Sequence, residues 1–274
     1  MNETIAIIGG GNLGRALARG LNASGAVEKA SITVTRRSES GLQDLRDEGF
    51  KTTTDNRSAV SRASIIVVAV RPKQLNVVLD ELQDELTHDR KLLVSTVSDA
   101  PLEHIERRIG SRVPVVRAMP NIGVAVGASM TCLAASDAVS RDTRRRAEAL
   151  FAPLGRVEFI EEEQMTPATA LCACGVAFFL RAIRAASQGG VQVGFHADEA
   201  IRLAAQTAKG AAELVLASGR HPEELIDSVT TPLGVTIAGL NEMEHQGFGS
   251  ALIRGIVLSA ERAGGLYLER SPGE

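Results

Sequence analysis

Residues 4 to 14, TIAIIGGGNLG, carry an apolar, β-branched run into Gly9-Gly10-Gly11-Asn12-Leu13-Gly14. Leu13, Leu17 and Leu21 then recur every four positions, with the small residues Ala16 and Gly20 beside them. A strand pattern thus breaks at G-x-G-x-x-G and reopens as a helix pattern, which is the context a dinucleotide fingerprint requires. Gly9 permits a tight turn, Gly11 lets the backbone approach a pyrophosphate, and Gly14 lets the helix pack close on the strand. The phosphates would sit on the free N–H groups at the positive end of the helix, among Asn12, Leu13 and Gly14. The alternative reading is a tight strand-to-helix turn with no ligand.

The choice of dinucleotide turns on the next strand, Ser31-Ile32-Thr33-Val34-Thr35. An NAD site places Asp or Glu at such a strand end to bind the ribose 2′-OH. Here the strand ends in Arg36-Arg37-Ser38, with no acid at the tip. Guanidinium groups form forked hydrogen bonds to phosphate, so the turn favours NADP, with NADPH preferred over NADH. A solvated basic turn is the other reading, and Glu39 supports it.

Further strand patterns follow at Ser64–Val70, Lys91–Ser95, Val113–Arg117 and Arg156–Ile160, alternating with helical patterns. Asp55 is placed to cap a short helix through about Arg62, and Pro72 suits a first helical turn. The alternation predicts βαβ units and a doubly wound parallel sheet. Ligands then collect at the carboxyl ends of the strands. Those ends carry the Gly-rich turn, Arg36–Ser38, Ala69-Val70-Arg71-Pro72, Ser95–Asp99 and Met119–Asn121. From about Glu162 the chain turns Ala-rich and loses strand signals. Helices are predicted over Ala170–Gln192, Ala197–Ala217 and Gly249–Leu266, and their small residues suit close packing, including between subunits. The division is a dinucleotide-binding α/β domain over residues 1–161 and an all-α domain over 162–274.

Chain length and composition narrow the function. A chain of 274 residues can bury roughly three quarters of its unfolded surface. A formal net charge of −3 gives no basic field for nucleic acid or anionic membrane. Arg144-Arg145-Arg146 reads as a solvated helix face. The longest apolar run, Ala170–Leu180, is too short to span a bilayer and precedes Arg181 and Arg184, so a buried helix is expected. No signal segment is expected, because Ile5 already begins a strand, and the protein is expected to be soluble and cytoplasmic. Cys132, Cys172 and Cys174 are expected as buried free thiols. The histidines show no zinc spacing, and no metal site is expected.

Several of these segments, in this order, resemble the Δ1-pyrroline-5-carboxylate reductase family. IAIIGGGNLGRALARGL looks like the family's opening, and AVRPKQ resembles its A-V-K-P-Q. RAMPNIGVAVGASMT resembles R-A-M-P-N-T-P-A-x-V-G-x-G-M-T, and VTTPLGVTIAGL resembles V-T-S-P-G-G-T-T-I-A-G-L. Three departures stand out. Leu233 and Val235 replace a Gly and a Thr or Ala, Ser98-Asp99 replaces Ala-Gly, and Cys172–Phe178 stands where the family often has G-S-G-P-A-Y.

The resemblance implies that NADPH reduces the C=N bond of a five-membered cyclic imine carboxylate to give L-proline. It implies that Asn56 lies near the cofactor ribose and that Thr230, Thr231, Gly234 and Val235 hold the substrate carboxylate. It implies that Thr236 bonds the ring nitrogen as the catalytic residue, with Met119 and Asn121 also on the substrate. It further implies an interlocked homodimer, or a ring of dimers, built by the helical domain. Three alternatives remain open. The first is a reductase of another cyclic imine. The second is a hydroxyacid-type dehydrogenase, which needs a catalytic Lys in its helical half, where only Lys209 stands. The third is a non-catalytic dinucleotide-binding paralogue.

Overall fold

The computed structural model describes residues 3–87 and 90–265. Eight strands form one sheet: β1 (Ile5–Ile8), β2 (Ile32–Thr35), β3 (Lys51–Thr53), β4 (Ile65–Val68), β5 (Leu92–Ser95), β6 (Val115–Met119), β7 (Ser129–Ala135) and β8 (Gly155–Phe159). Their order is β3-β2-β1-β4-β5-β6-β7-β8. All pairings are parallel except β6–β7. The doubly wound sheet is therefore as expected, with one reversed crossing near its far edge.

Alternation along β1 explains the two-sided core. Ile5 and Ile7 point to one face, where Leu17 and Leu21 of the first helix, Asn12–Ala23, cover them. Ala6 and Ile8 point to the other, beneath Leu75, Leu79 and Leu82. β-Branched side chains suit a pleated surface buried on both faces. Each fully buried Ile or Leu contributes about 1.5–3 kcal/mol. Ile8 pairs with Thr35 on one side and Val68 on the other, so the strand order reverses at the end of β1. That switch point opens the crevice where ligands bind in such sheets.

Two strands carry no readable alternation in the sequence. β3 is short and polar, and β7 is a mixture of small and sulfur-bearing residues. The solvated face expected at Arg144–Arg146 holds only for Arg145. Arg144 lies 5.4 Å from the Phe159 ring centroid and donates to the carbonyl oxygens of Ala135 and Ser136. Arg146 pairs with Glu3 at 2.9 Å. These contacts tie the helix Arg141–Phe151 to the sheet.

The chain divides into two compact units. One runs through Cys174 and takes the chain up again from Ser259; the other is Gly175–Leu258. The second unit is helical throughout. Gly175–Gln192 and Ala197–Ser218 form a hairpin in which Gly190 packs on Ala200, followed by Pro222–Val229 and Val235–His245. A last helix, Phe248–Ala263, begins in this unit and ends in the other; the Leu266 end expected for it lies outside the described residues. Within the second unit only Gly175 and Ala200 are buried in the single chain. The buried helix expected at Ala170–Leu180 is half uncovered, with Leu171, Phe179 and Leu180 each more than half exposed. The continuous helical stretch Glu162–Gln192 is long and apolar enough, by length and composition, to cross a membrane.

Candidate cofactor and substrate site

The three fingerprint glycines do three different jobs. Gly9 has φ +116°, and a Cβ on it would lie 2.5 Å from the carbonyl oxygen of Ala69. A Cβ on Gly14 would lie 2.1 Å from the carbonyl oxygen of Gly9, so the helix packs as close on the turn as backbone allows. Gly11 differs from both: its backbone is extended, and a Cβ there would meet nothing within 4 Å. Gly11 thus faces open space at the helix start. No side chain caps that helix, and its first turn holds no acid. The Asn12, Leu13 and Gly14 amides have no helical acceptor. An uncapped helix end beneath open space fits a pyrophosphate, so the residues present suit a bound dinucleotide.

The loop after β2 stands beside this turn. Gly9 and Gly10 donate their N–H groups to the Thr35 carbonyl, at 3.2 and 2.6 Å. Arg36, Arg37 and Ser38 are all exposed. Arg36 lies along Gly41 and donates to its carbonyl at 3.1 Å, and the Ser38 hydroxyl pairs with Ser40. Asn56 begins the helix capped by Asp55; it accepts from the Thr35 hydroxyl at 2.6 Å and donates to Glu81. Ala69 closes on β1 through its N–H to the Ile8 carbonyl, and Arg71 and Pro72 open the next helical turn.

Arg15 is a residue that the sequence pattern does not flag. Its guanidinium donates to the Gly10 carbonyl at 3.0 Å, and also to the Gly41 carbonyl and the Asp44 carboxylate. One side chain therefore fastens the Gly-rich turn to the basic loop.

Met119 ends β6, and Asn121 follows it, buried. The Asn121 side-chain oxygen accepts from the Gly123 N–H at 2.8 Å, and its amide donates to the Cys172 carbonyl at 3.1 Å. Cys172 sits in a π-helical turn, Thr169–Cys174, a widened backbone found disproportionately at functional sites. Asp99, where the family has Gly, keeps a left-handed backbone at φ +61° and accepts from the Gly265 N–H at 2.6 Å.

In the helical unit, Thr230 to Thr236 form one continuous loop and helix start. Gly234 donates its N–H to the Thr231 carbonyl at 2.9 Å, closing a turn. Leu233 occupies the left-handed position of that turn at φ +59°. The turn therefore survives the loss of the family's glycine, at a strain of about 1–2 kcal/mol. A Cβ on Gly234 would lie 2.5 Å from the Thr231 hydroxyl oxygen, so Gly234 has no room for a side chain. Gly234 stands at the N-cap of Val235–His245 with no side-chain cap, and the first turn has no acid. The Thr230 hydroxyl is used internally, on the Asp227 carbonyl. The Thr236 hydroxyl is exposed and makes no hydrogen bond among the described residues. This N-terminus can hold a carboxylate on backbone amides, with one free hydroxyl beside it. Lys209 lies in an exposed pair with Glu213 at 3.6 Å.

A doubly wound sheet, a phosphate-ready turn at its switch point and a basic loop after the second strand define a pyridine-nucleotide oxidoreductase. Residues 4–99 match the family model described as NADP oxidoreductase, coenzyme F420-dependent. Residues 162–266 match the one described as pyrroline-5-carboxylate reductase dimerisation. The chain is 48% identical to pyrroline-5-carboxylate reductase 1 of Dictyostelium discoideum over 97% of its length; it spans 50% of that longer protein. It is 43% identical to pyrroline-5-carboxylate reductase 2 of the same organism, covering 96% of this chain and 92% of the relative. The crystal structure of a Plasmodium falciparum pyrroline carboxylate reductase with NADP bound superposes with a TM-score of 0.88 at 25% identity, over 97% of this chain and 99% of that one. The chain belongs to the pyrroline-5-carboxylate reductase family.

Proposed function

We propose that this protein reduces Δ1-pyrroline-5-carboxylate to L-proline with NADPH. The observation that carries the reading is the start of the helix Val235–His245: an uncapped, acid-free N-terminus with a free Thr236 hydroxyl beside it. Residues 1–161 hold the cofactor, and residues 162–274 hold the substrate and build the dimer; the family match from residue 162 supports that division.

Bound NADPH supplies the hydride that the C=N carbon receives. The protein's own work is positioning. Gly9, Gly11 and the amides of Asn12, Leu13 and Gly14 take the pyrophosphate, Asn56 the ribose, and Ala69 to Pro72 line the way to the nicotinamide. Thr230, Thr231, Gly234 and Val235 set the substrate carboxylate against the helix N-terminus. The Thr236 oxygen accepts a hydrogen bond from the protonated ring nitrogen, which favours the iminium form, the better hydride acceptor. Met119 and Asn121 are proposed as further substrate contacts. A substrate panel followed by NADPH absorbance tests the reading. Turnover of a different cyclic imine, with none of pyrroline-5-carboxylate, replaces the substrate. Tight NADPH binding with no turnover on any imine makes the protein a regulatory paralogue.

Arg36, Arg37 and Ser38 are proposed to read the 2′-phosphate and make NADPH the preferred cofactor. Charge-assisted hydrogen bonds are worth about 1.5–3 kcal/mol each, or roughly 10- to 150-fold. Replacing both arginines with Ala is expected to erode the preference by that factor, mainly through the apparent KM for NADPH. Equal kcat/KM for NADPH and NADH in the unmodified enzyme would remove the assignment.

The uncovered helices of the second unit are proposed to be covered by a second copy of the chain, as a homodimer or a ring of dimers. An obligate interface of this kind buries more than about 2,000 Å². Light scattering is expected to give a dimer or larger at micromolar concentration; an active monomer there refutes the assembly. A cytoplasmic location completes the proposal and accords with three free thiols.

A further inference from the structure

Cys132 and Cys172 are 40 residues apart in sequence, yet their sulfurs lie 3.9 Å apart. Cys132 is on β7, 5% exposed, directly opposite Met119 of β6. Cys172 is on the π-helical turn and more accessible, and its carbonyl holds the Asn121 side chain. The two thiols thus join the two backbone segments that carry Met119 and Asn121. The hydrogen bond from Cys132 lowers the Cys172 thiol to about 7, against the opposing effect of burial. The same contact, then burial, raises Cys132. At this separation one thiol can stabilise a thiolate on the other, and Cys172 is the more accessible of the two. Such a thiolate is the reactive form of cysteine.

We propose that Cys132 and Cys172 are a peroxide-responsive thiol pair whose disulfide shuts down the enzyme. The Cys172 thiolate attacks one oxygen of hydrogen peroxide. The O–O bond breaks, and the departing hydroxide takes up a proton to leave as water, giving a sulfenic acid on Cys172. The Cys132 thiol then attacks that sulfur and loses its proton, the S–O bond breaks, and a second water leaves. Two electrons pass from the pair of thiols to peroxide. A dithiol reverses the bridge by exchange and is itself oxidised.

Bridging requires the sulfurs to close from 3.9 Å to about 2.05 Å. Side-chain rotation, a shift of the π turn toward β7, or both close that gap, and a shift of the turn carries with it the carbonyl that accepts from the Asn121 amide. Displacements of about 1 Å in positioning groups can cost roughly 100-fold in rate. The effect on activity rests on the reading of Met119 and Asn121 as substrate residues; the bridge itself does not.

The test treats the reduced protein with hydrogen peroxide and reads two quantities. Intact mass and peptide mapping are expected to show loss of two hydrogens per chain and a crosslinked peptide joining Cys132 to Cys172. The kcat/KM for pyrroline-5-carboxylate is expected to fall at least about 10-fold and to return with dithiothreitol. Cys132→Ala should keep its starting activity and resist this reversible loss, whereas Cys174→Ala should respond like the unmodified protein. No crosslinked peptide, or a bridge that uses Cys174, overturns the pairing. A Cys132–Cys172 bridge with unchanged kcat/KM overturns the switch. Failure of the reduced protein to turn over pyrroline-5-carboxylate counts against the proposed function alone, since mass decides the bridge without it.

Discussion

Thr236→Val is expected to lower kcat/KM for Δ1-pyrroline-5-carboxylate about 10- to 150-fold, while NADPH affinity and Tm stay nearly constant. Valine keeps the shape of threonine and removes the hydroxyl. A hydrogen bond to a charged group is worth about 1.5–3 kcal/mol, which converts to that range of rates. The stability half of the expectation comes from the structure. The Thr236 hydroxyl has no acceptor or donor among the described residues, and the side chain is exposed, so the fold loses nothing with it. A threonine that merely capped the helix would behave oppositely, with about 0.5–2 kcal/mol less stability and intact turnover. Gly234, not Thr236, holds the cap position. Kinetics and thermal unfolding on one variant separate the cases; wild-type kcat/KM with a lowered Tm removes Thr236 from the site.

The second large effect is a contrast between two alanines in one turn. Gly11→Ala adds a methyl group where nothing lies within 4 Å. Its cost at an N-cap, about 0.5–1 kcal/mol, is offset by a comparable loss of unfolded-state freedom. The fold should be unchanged. That methyl group nonetheless fills the space proposed for the pyrophosphate. Losing two charge-assisted hydrogen bonds there weakens NADPH binding by at least about 100-fold. Gly14→Ala behaves differently. Its methyl group would stand 2.1 Å from the Gly9 carbonyl oxygen and 3.2 Å from Ile7. Backbone must shift, at about 1–3 kcal/mol, so Tm should fall by roughly 2–12 °C along with binding. Calorimetric titration and thermal unfolding distinguish the two variants. Undiminished NADPH binding by Gly11→Ala contradicts the cradle.

The cofactor half was readable because its cues are local. Gly9, Gly11 and Gly14 announce a backbone geometry, β1 and β4 announce burial on both faces, and Asp55 announces a cap. The substrate loop proposed at Thr230 to Thr236 was suggested only by likeness to a family, since threonines beside Pro and Gly occur in ordinary turns. What escaped has physical reasons. β3 is polar and β7 lacks alternation, so neither offers a period to count. Arg15 acts across 26 and 29 residues, on Gly41 and Asp44, and no spacing rule reaches that far. Leu233 holds left-handed backbone without being Gly, Asn or Asp, the residues that usually mark it. The helix Val235–His245 buries no side chain among the described residues, and its apolar residues follow no one-sided pattern. The nearness of Cys132 to Cys172 exists only once β7 and the π turn have formed.

The near absence of buried residues in Gly175–Leu258 reaches beyond architecture. In the dimer proposed above, a unit with so little interior draws its cohesion from the second copy, and the law of mass action then governs it. Apparent stability rises with the logarithm of protein concentration, because association removes folded chains from the unfolding equilibrium. In that proposed dimer, dilution would separate the copies and return Phe179, Leu180, Ile253 and Val257 to the exposure they have in the single chain. Under that proposal, turnover per molecule becomes a function of protein concentration.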